Sequence, residues 1–144
     1  MGNKLNTRIG ILGGGQLGKM LIESFSPLNV HYTVLENDAN CPSSLVCNNL
    51  IQGSLYDKDG IERLASASDV LTFEIEHVDV QTLKSLSTPC IPYPSVLEII
   101  QDKGLQKDFY TQHQVSTLDY KICTSSELAQ AVEYWPEDRF VLKH

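Results

Sequence analysis

A glycine-rich segment near the N-terminus has the residue types of a ligand-binding turn. Residues 13–18 read GGGQLG and fit the pattern G-x-G-x-x-G, between a short apolar run and residues at helical spacing. Glycines permit a tight turn and a close approach of a ligand to the backbone, and a helix N-terminus attracts anionic or carbonyl-rich groups. Glu36 ends the next predicted strand, where dinucleotide-binding folds place an acid for a ribose hydroxyl. The pair indicates a nucleotide-type ligand; the structural alternative is that the glycines only pack a helix closely on a sheet.

Two further carboxylates, Glu74 and Glu76, close a later apolar segment. The carboxyl ends of parallel strands open on one crevice, so either residue can face the glycine turn, and strand alternation places both on one face. A carboxylate there accepts hydrogen bonds from an amine or from sugar hydroxyls. The alternative is a solvated strand end, and His77 is interpreted as an ordinary loop residue because no catalytic partner can be named for it.

These residues require a framework, and the apolar pattern predicts one of alternating strands and helices. The predicted strands lie at 8–12, 31–35, 49–53, 69–76, 90–93, 119–123 and 139–143. The predicted helices lie at 17–25, near 59–65, at 83–86, at 95–110 and at 124–135. This order is typical of an α/β fold with a Rossmann-like parallel sheet. We expect a first domain over 1–95, and a connector helix with the start of a second domain over 96–144.

Composition excludes several classes of protein. The chain has 144 residues and a net charge of −7 without a basic cluster, so neither nucleic acid nor an anionic membrane is an expected partner. Its four cysteines form no C-x-x-C pair, which favours free thiols in a reducing cytosol over a zinc site or disulfides. No apolar run suggests a signal peptide or a membrane span, and a cytoplasmic location is expected.

Four segments together resemble one enzyme family. Residues 11–20, 69–78, 101–103 and 140–143 read ILGGGQLGKM, DVLTFEIEHV, QDK and FVLK. In this order and spacing they are similar to the N-terminal part of the N5-carboxyaminoimidazole ribonucleotide synthases, ATP-grasp enzymes of purine biosynthesis. The resemblance implies a pre-ATP-grasp domain that does not bind NAD, followed by the incomplete start of an ATP-grasp domain.

The resemblance also implies a reaction and its binding residues. The family uses ATP and Mg²⁺ to activate bicarbonate as carboxyphosphate and carboxylates the exocyclic amine of aminoimidazole ribonucleotide. It implies two sets of binding residues in this chain. By this resemblance Gly15, Gln16, Leu17, Glu74 and Glu76 are expected to bind the ribonucleotide, and Lys103 and Lys143 are expected to bind the ATP phosphates.

Several expectations accompany this interpretation. The family's Mg²⁺ ligands, glycine-rich phosphate loop and phosphate-gripping basic residues have no counterpart here. We therefore expect a fragment that is inactive alone and contains no catalytic residue or metal ligand. Homodimers are common in the family. The alternatives are another ATP-grasp ribonucleotide ligase, a nicotinamide-dependent oxidoreductase domain, or a non-catalytic assembly module whose last strand pairs with another chain.

Overall fold

The computed structural model describes residues 6–136 and 139–143, which divide into two compact units between Glu98 and Ile99. The first unit contains a sheet with helices between its strands. Its elements are β1 (Thr7–Leu12), α1 (Gln16–Phe25), β2 (Val30–Glu36), a 3₁₀ helix (Pro42–Leu45), β3 (Asn49–Gln52), α2 (Lys58–Ser66), β4 (Val70–Phe73) and α3 (Val80–Ser85).

All four strands are parallel and lie in the order β3-β2-β1-β4. This confirms the α/β fold with a Rossmann-like sheet. In the register of the sheet, Leu12 at the end of β1 lies opposite both Leu35 and Phe73. The residues at or just after these three positions therefore lie together at the carboxyl ends of the strands.

Helices cover both faces of the sheet. Ile11 and Val34 are fully buried in a cluster with Ile22 of α1, so α1 packs on one face. On the other face, a Cβ at Gly60 of α2 would lie 3.3 Å from Leu35 Cδ1, which shows how closely α2 approaches β2. Alternating side chains thus pack on opposite helices, as expected for a doubly wound sheet.

The predicted strand at 69–76 is too long, because β4 ends at Phe73 and residues 74–76 form a bend. The argument that strand alternation aligns Glu74 with Glu76 is therefore wrong. The predicted strand at 90–93 is reduced to one parallel bridge, between Leu71 and Cys90.

The second unit is helical in its described part. Helix α4 (Ser95–Gln101) spans the boundary, and α5 (Lys103–Gln112) and α6 (Leu128–Glu133) follow. The prediction of one continuous helix over 95–110 is wrong, because Asp102 interrupts it. The extended backbone of Asp102 places its carboxylate Oδ1 2.7 Å from the amide nitrogen of Gly104 and 3.0 Å from that of Leu105. The side chain thus caps a new helix, as aspartate commonly does.

The strands predicted at 119–123 and 139–143 are not present; both segments lack secondary structure in the described residues. Their apolar patterns indicate strand propensity, but a strand also requires a neighbouring strand for its backbone hydrogen bonds. Thr124 and Glu127, at the start of the helix predicted over 124–135, have the spacing of a capping box, and only part of this motif forms. Glu127 accepts hydrogen bonds from the amide and hydroxyl of Thr124, but α6 begins only at Leu128.

Candidate functional site

The candidate site lies where β1, β2 and β4 end side by side. The residues that follow these strands or end them are Gly13, Glu36 and Glu74, so the sheet register brings the glycine turn and two carboxylates together. The amide of Gly13 donates to the carbonyl of Leu35 at 3.1 Å, and the amide of Glu74 donates to that of Leu12 at 3.1 Å. Backbone hydrogen bonds therefore tie the three strand ends to one another beyond the regular ladder.

Only glycine suits the first position of the turn. Gly13 has a φ of 98°, a conformation that costs other residues energy. A Cβ there would also lie 2.7 Å from both Cγ and Oε1 of Glu74. The glycine thus allows the Glu74 side chain to lie directly against the backbone of the turn.

Two carboxylates occupy the amide donors of the turn. The amide nitrogen of Gly14 donates to Oε2 of Glu36 at 2.9 Å, and that of Gly15 donates to Oε1 of Glu74 at 2.8 Å. The second oxygen of Glu36 accepts the amide of Asn37 at 2.7 Å. Negative groups are stabilised at a helix N-terminus, so the two glutamates act as long-range caps of α1.

A serine that the sequence analysis did not identify holds the other side of the turn. Ser43 is fully buried in the 3₁₀ helix; its amide donates to the Gly14 carbonyl at 2.9 Å and its Oγ to the Gly15 carbonyl at 3.4 Å. A Cβ at Gly18 would lie 2.9 Å from this Oγ. The sequence signal was slight: Pro42 at the start of a short helix is the only local indication of the element.

Glu74 has one oxygen that remains available to a ligand. Its Oε1 binds the Gly15 amide, whereas Oε2 has no hydrogen-bond partner in residues 6–136 and 139–143. Glu76 lies two residues further on, in the bend after β4, and is partly buried. His77 is exposed, consistent with its interpretation as a loop residue. Of the two predicted strand-end carboxylates, Glu74 is the one that contacts the glycine turn.

The first two residues of α1 directly follow the glycine turn. Gln16 and Leu17 are both exposed, and 61% of the Leu17 surface is accessible. Leu17 therefore presents an exposed apolar side chain at the start of the helix that follows the turn.

The two lysines predicted to bind ATP belong to the second unit. Lys103 is the first residue of α5, partly buried, and its Nζ donates to the carbonyl of Ile100 at 2.8 Å. Lys143 is exposed, in the segment where the predicted strand is not present. Their binding of phosphates stays a prediction.

The geometry disfavours the nicotinamide-dependent alternative. In dinucleotide-binding folds the pyrophosphate sits on the free amides of the glycine turn, and an acid accepts a ribose hydroxyl. Here the amides of Gly14 and Gly15 already donate to carboxylates, and both oxygens of Glu36 accept backbone amides. The Gly14 and Gly15 amides and the Glu36 carboxylate are therefore not free to act in this way.

The structure also describes the cysteines and the distribution of possible metal ligands. All four cysteines are free thiols, and burial raises the pKa of Cys90 to about 11. In the described ranges, no group of three His, Cys, Asp or Glu side chains could hold a metal ion. No helix among these residues has the length and apolar character needed to cross a membrane.

Comparison with known proteins gives a consistent result. The family model of the ribonucleotide synthetase pre-ATP-grasp domain matches residues 6–101. Phosphoribosylaminoimidazole carboxylase of Saccharomyces cerevisiae is 40% identical over 115 residues, which are 75% of this chain and 20% of that protein. N5-carboxyaminoimidazole ribonucleotide synthase of Brucella melitensis is 35% identical over 126 residues, which are 86% of this chain and 35% of that protein. The chain therefore spans only a minor part of the length of these relatives.

Solved structures of similar proteins share the fold. N5-carboxyaminoimidazole ribonucleotide synthetase from Thermotoga maritima matches with a TM-score of 0.76 and 37% identity, over 89% of this chain and 36% of that one. The Aspergillus clavatus N5-carboxyaminoimidazole synthase, in complex with ADP and 5-aminoimidazole ribonucleotide, matches with a TM-score of 0.77 and 32% identity. That match covers 90% of this chain and 36% of the fungal one.

Proposed function

The chain belongs to the family of ribonucleotide synthetase pre-ATP-grasp domains, and from this premise we propose that it is the N-terminal part of an N5-carboxyaminoimidazole ribonucleotide synthase. The observation that carries the proposal is the glycine turn with Glu74 against it, in a chain similar to enzymes of that name. In the proposed reaction the amine of aminoimidazole ribonucleotide gains a carboxyl group from bicarbonate, while ATP is converted to ADP and phosphate.

The role of the first unit in this proposal is to bind and orient the ribonucleotide. The free Oε2 of Glu74 accepts a hydrogen bond from the amine, and Leu17 packs against the imidazole ring. Gly15, Gln16 and Glu76 complete the proposed binding residues. A fixed carboxylate holds the amine in position at little cost in reorganisation, because the Gly15 amide already fixes the side chain.

The second unit supplies the proposed ATP contacts, Lys103 and Lys143, whose charge would offset that of the phosphates. ATP supplies the activation of bicarbonate. Mg²⁺ belongs to the proposed chemistry, but we assign it no ligand in residues 6–136 and 139–143, since no suitable cluster exists there. Homodimerisation and a cytoplasmic location complete the proposal.

Ligand binding to the whole chain tests the substrate. We expect aminoimidazole ribonucleotide to shift the amide NMR signals of Gly15 and Gln16 in a saturable manner. Glu74→Gln should weaken this binding by tenfold or more, because it replaces a charge-assisted hydrogen bond by a neutral one. The matched control is Glu62→Gln, on the exposed surface of α2, where the Glu62 side chain pairs with Lys58. Glu62→Gln should bind as the unsubstituted chain does.

Three results would contradict the proposal. The first is the absence of ribonucleotide-induced shifts at the turn. The second is tighter binding of a different amine-bearing ribonucleotide, which would favour another ATP-grasp ligase. The third is saturable binding of NADH at the turn, which would favour an oxidoreductase domain.

A further inference from the structure

The two edges of the parallel sheet differ in how they are covered. β4 lies at one edge, where the Leu71 amide donates to the Pro89 carbonyl at 2.8 Å and the Ile91 amide donates to the Leu71 carbonyl at 2.9 Å. β3 lies at the other edge, and in residues 6–136 and 139–143 no strand pairs with its outer side. An uncovered strand edge is a template for pairing with another chain, and proteins usually protect it.

The backbone of β3 directs hydrogen-bonding groups to this outer side. The Leu35 carbonyl in β2 points away from β3, because it accepts the Gly13 amide that follows β1. Leu35 is in register with Ile51, and in a parallel ladder only one residue of each such pair bonds to the other strand. Ile51 therefore bonds to β2, and the amides and carbonyls of its neighbours Leu50 and Gln52 are directed to the open edge.

The chain around this edge carries no charge. Residues 39–56, which include the 3₁₀ helix and β3, contain no Asp, Glu, Lys or Arg, and they are the longest such stretch in the sequence. The whole chain has a net charge of −7, so repulsion opposes contact between two copies wherever acidic side chains meet. Lysines commonly protect an edge strand from pairing, and β3 has none.

Apolar side chains are exposed at both ends of β3. Leu45 precedes the strand and is 79% accessible, whereas Tyr56 follows it and is 60% accessible. A two-fold axis perpendicular to the sheet would pair two copies of β3 in antiparallel orientation, with the Leu45 end of one strand at the Tyr56 end of the other. Because β3 is short, these flanking side chains would supply much of the area that a dimer buries.

We propose that the outer edge of β3 is a self-association surface, at which β3 of a second copy of this chain pairs antiparallel and extends the sheet across a two-fold axis. An isologous contact requires a surface that complements itself, and an uncharged strand with an apolar residue at each end meets this requirement. The lack of charge disfavours a partner that is recognised by basic or acidic side chains. The proposal rests on the function proposed above only in giving its homodimer an interface.

Analytical ultracentrifugation of the whole chain tests the association. We expect a monomer–dimer equilibrium with a dissociation constant on the order of 100 µM, because the interface is small. Gln52→Lys places the same charge at the edge of both copies and should raise this constant about tenfold or more. The matched control is Gln112→Lys at the exposed end of α5, which adds an equal charge and should dimerise as the unsubstituted chain does. Asn49→Lys, at the other exposed residue of β3, is the second edge variant, and circular dichroism shows that each variant is folded.

Hydrogen exchange locates the contact within the dimer. The Leu50 and Gln52 amides should become protected as the protein concentration rises, whereas the Ile51 amide should be protected at every concentration. Four results would overturn the inference: a monomer throughout the range, a dimer that both edge variants form equally well, a dimer without protection of the outer amides, or growth beyond the dimer. None of these measurements uses the ribonucleotide, so self-association and ribonucleotide binding can fail independently.

Discussion

Two helices of this protein are capped by carboxylates in contrasting ways. At α1 the caps are Glu36 and Glu74, which lie 22 and 59 residues along the chain from the glycines that they bind. At α5 the cap is Asp102, which binds the amide of Gly104 two residues away. The first cap exists only because the sheet brings distant strand ends together, whereas the second requires nothing beyond its own segment.

The difference lies in how much of the fold each carboxylate requires. Asp102 accepts both of its capping hydrogen bonds through Oδ1, from amides of its own segment, and serves to begin a helix. Glu74 comes from another strand and binds the turn through Oε1, and its Oε2 has no hydrogen-bond partner in residues 6–136 and 139–143. Long-range capping of α1 is therefore what makes the turn a candidate binding site.

The largest change in stability should follow from a core substitution in β4, the strand that precedes Glu74. Leu71 in β4 is fully buried, so Leu71→Ala should lower the free energy of unfolding by about 3 kcal/mol through lost burial and the cavity left behind. Urea denaturation followed by circular dichroism measures the change. The exposed Leu118 in the second unit is the control, and Leu118→Ala should cost no more than about 0.5 kcal/mol. Equal losses of unfolding free energy for Leu71→Ala and Leu118→Ala would contradict the expectation that the buried strand matters more for stability than the exposed position.

Alkaline pH should lower the free energy of unfolding by a smaller amount, through a cysteine that pairs with the same strand. The backbone of Cys90 forms a parallel β-bridge with Leu71. Burial raises the pKa of the Cys90 thiol from about 9 to about 11. A raised pKa in the folded state stabilises the fold below pH 9, and this stabilisation is lost as the pH rises to 11. The unsubstituted chain should therefore lose up to about 2 kcal/mol relative to Cys90→Ala across that interval. Parallel stability curves for the two proteins would show that Cys90 does not titrate in this way.

The smallest change in stability should come from substitution of Asp102, the local cap of α5. Asp102→Ala should destabilise α5 by about 1 kcal/mol, because the amides of Gly104 and Leu105 lose their acceptor. Hydrogen exchange of these two amides measures the change, and the Gly14 and Gly15 amides should keep their protection. Asp102→Asn retains a capping oxygen and should restore most of the protection. Unchanged exchange in Asp102→Ala would contradict the assigned cap.

The contrast between local and long-range interactions also explains which sequence predictions failed. The continuous helix predicted over 95–110 ignored the capping preference of Asp102, a local signal that the apolar spacing obscured. The strands predicted at 119–123 and 139–143 had suitable residues, but the described chain offers them no strand to pair with. The first four predicted strands, by contrast, do have partners in the parallel sheet.

Sequence alone determined the features that depend on neighbouring residues: the alternation of strands and helices, the glycine turn and the position of Glu74 near the end of a strand segment. Only the tertiary structure decided that Glu36 and Glu74 both bind that turn, that buried Ser43 holds its other side, and that Glu76 is not aligned with Glu74 by a strand. The physical reason is that propensity and capping act over a few residues, whereas strand register brings together residues 61 positions apart, such as Leu12 and Phe73.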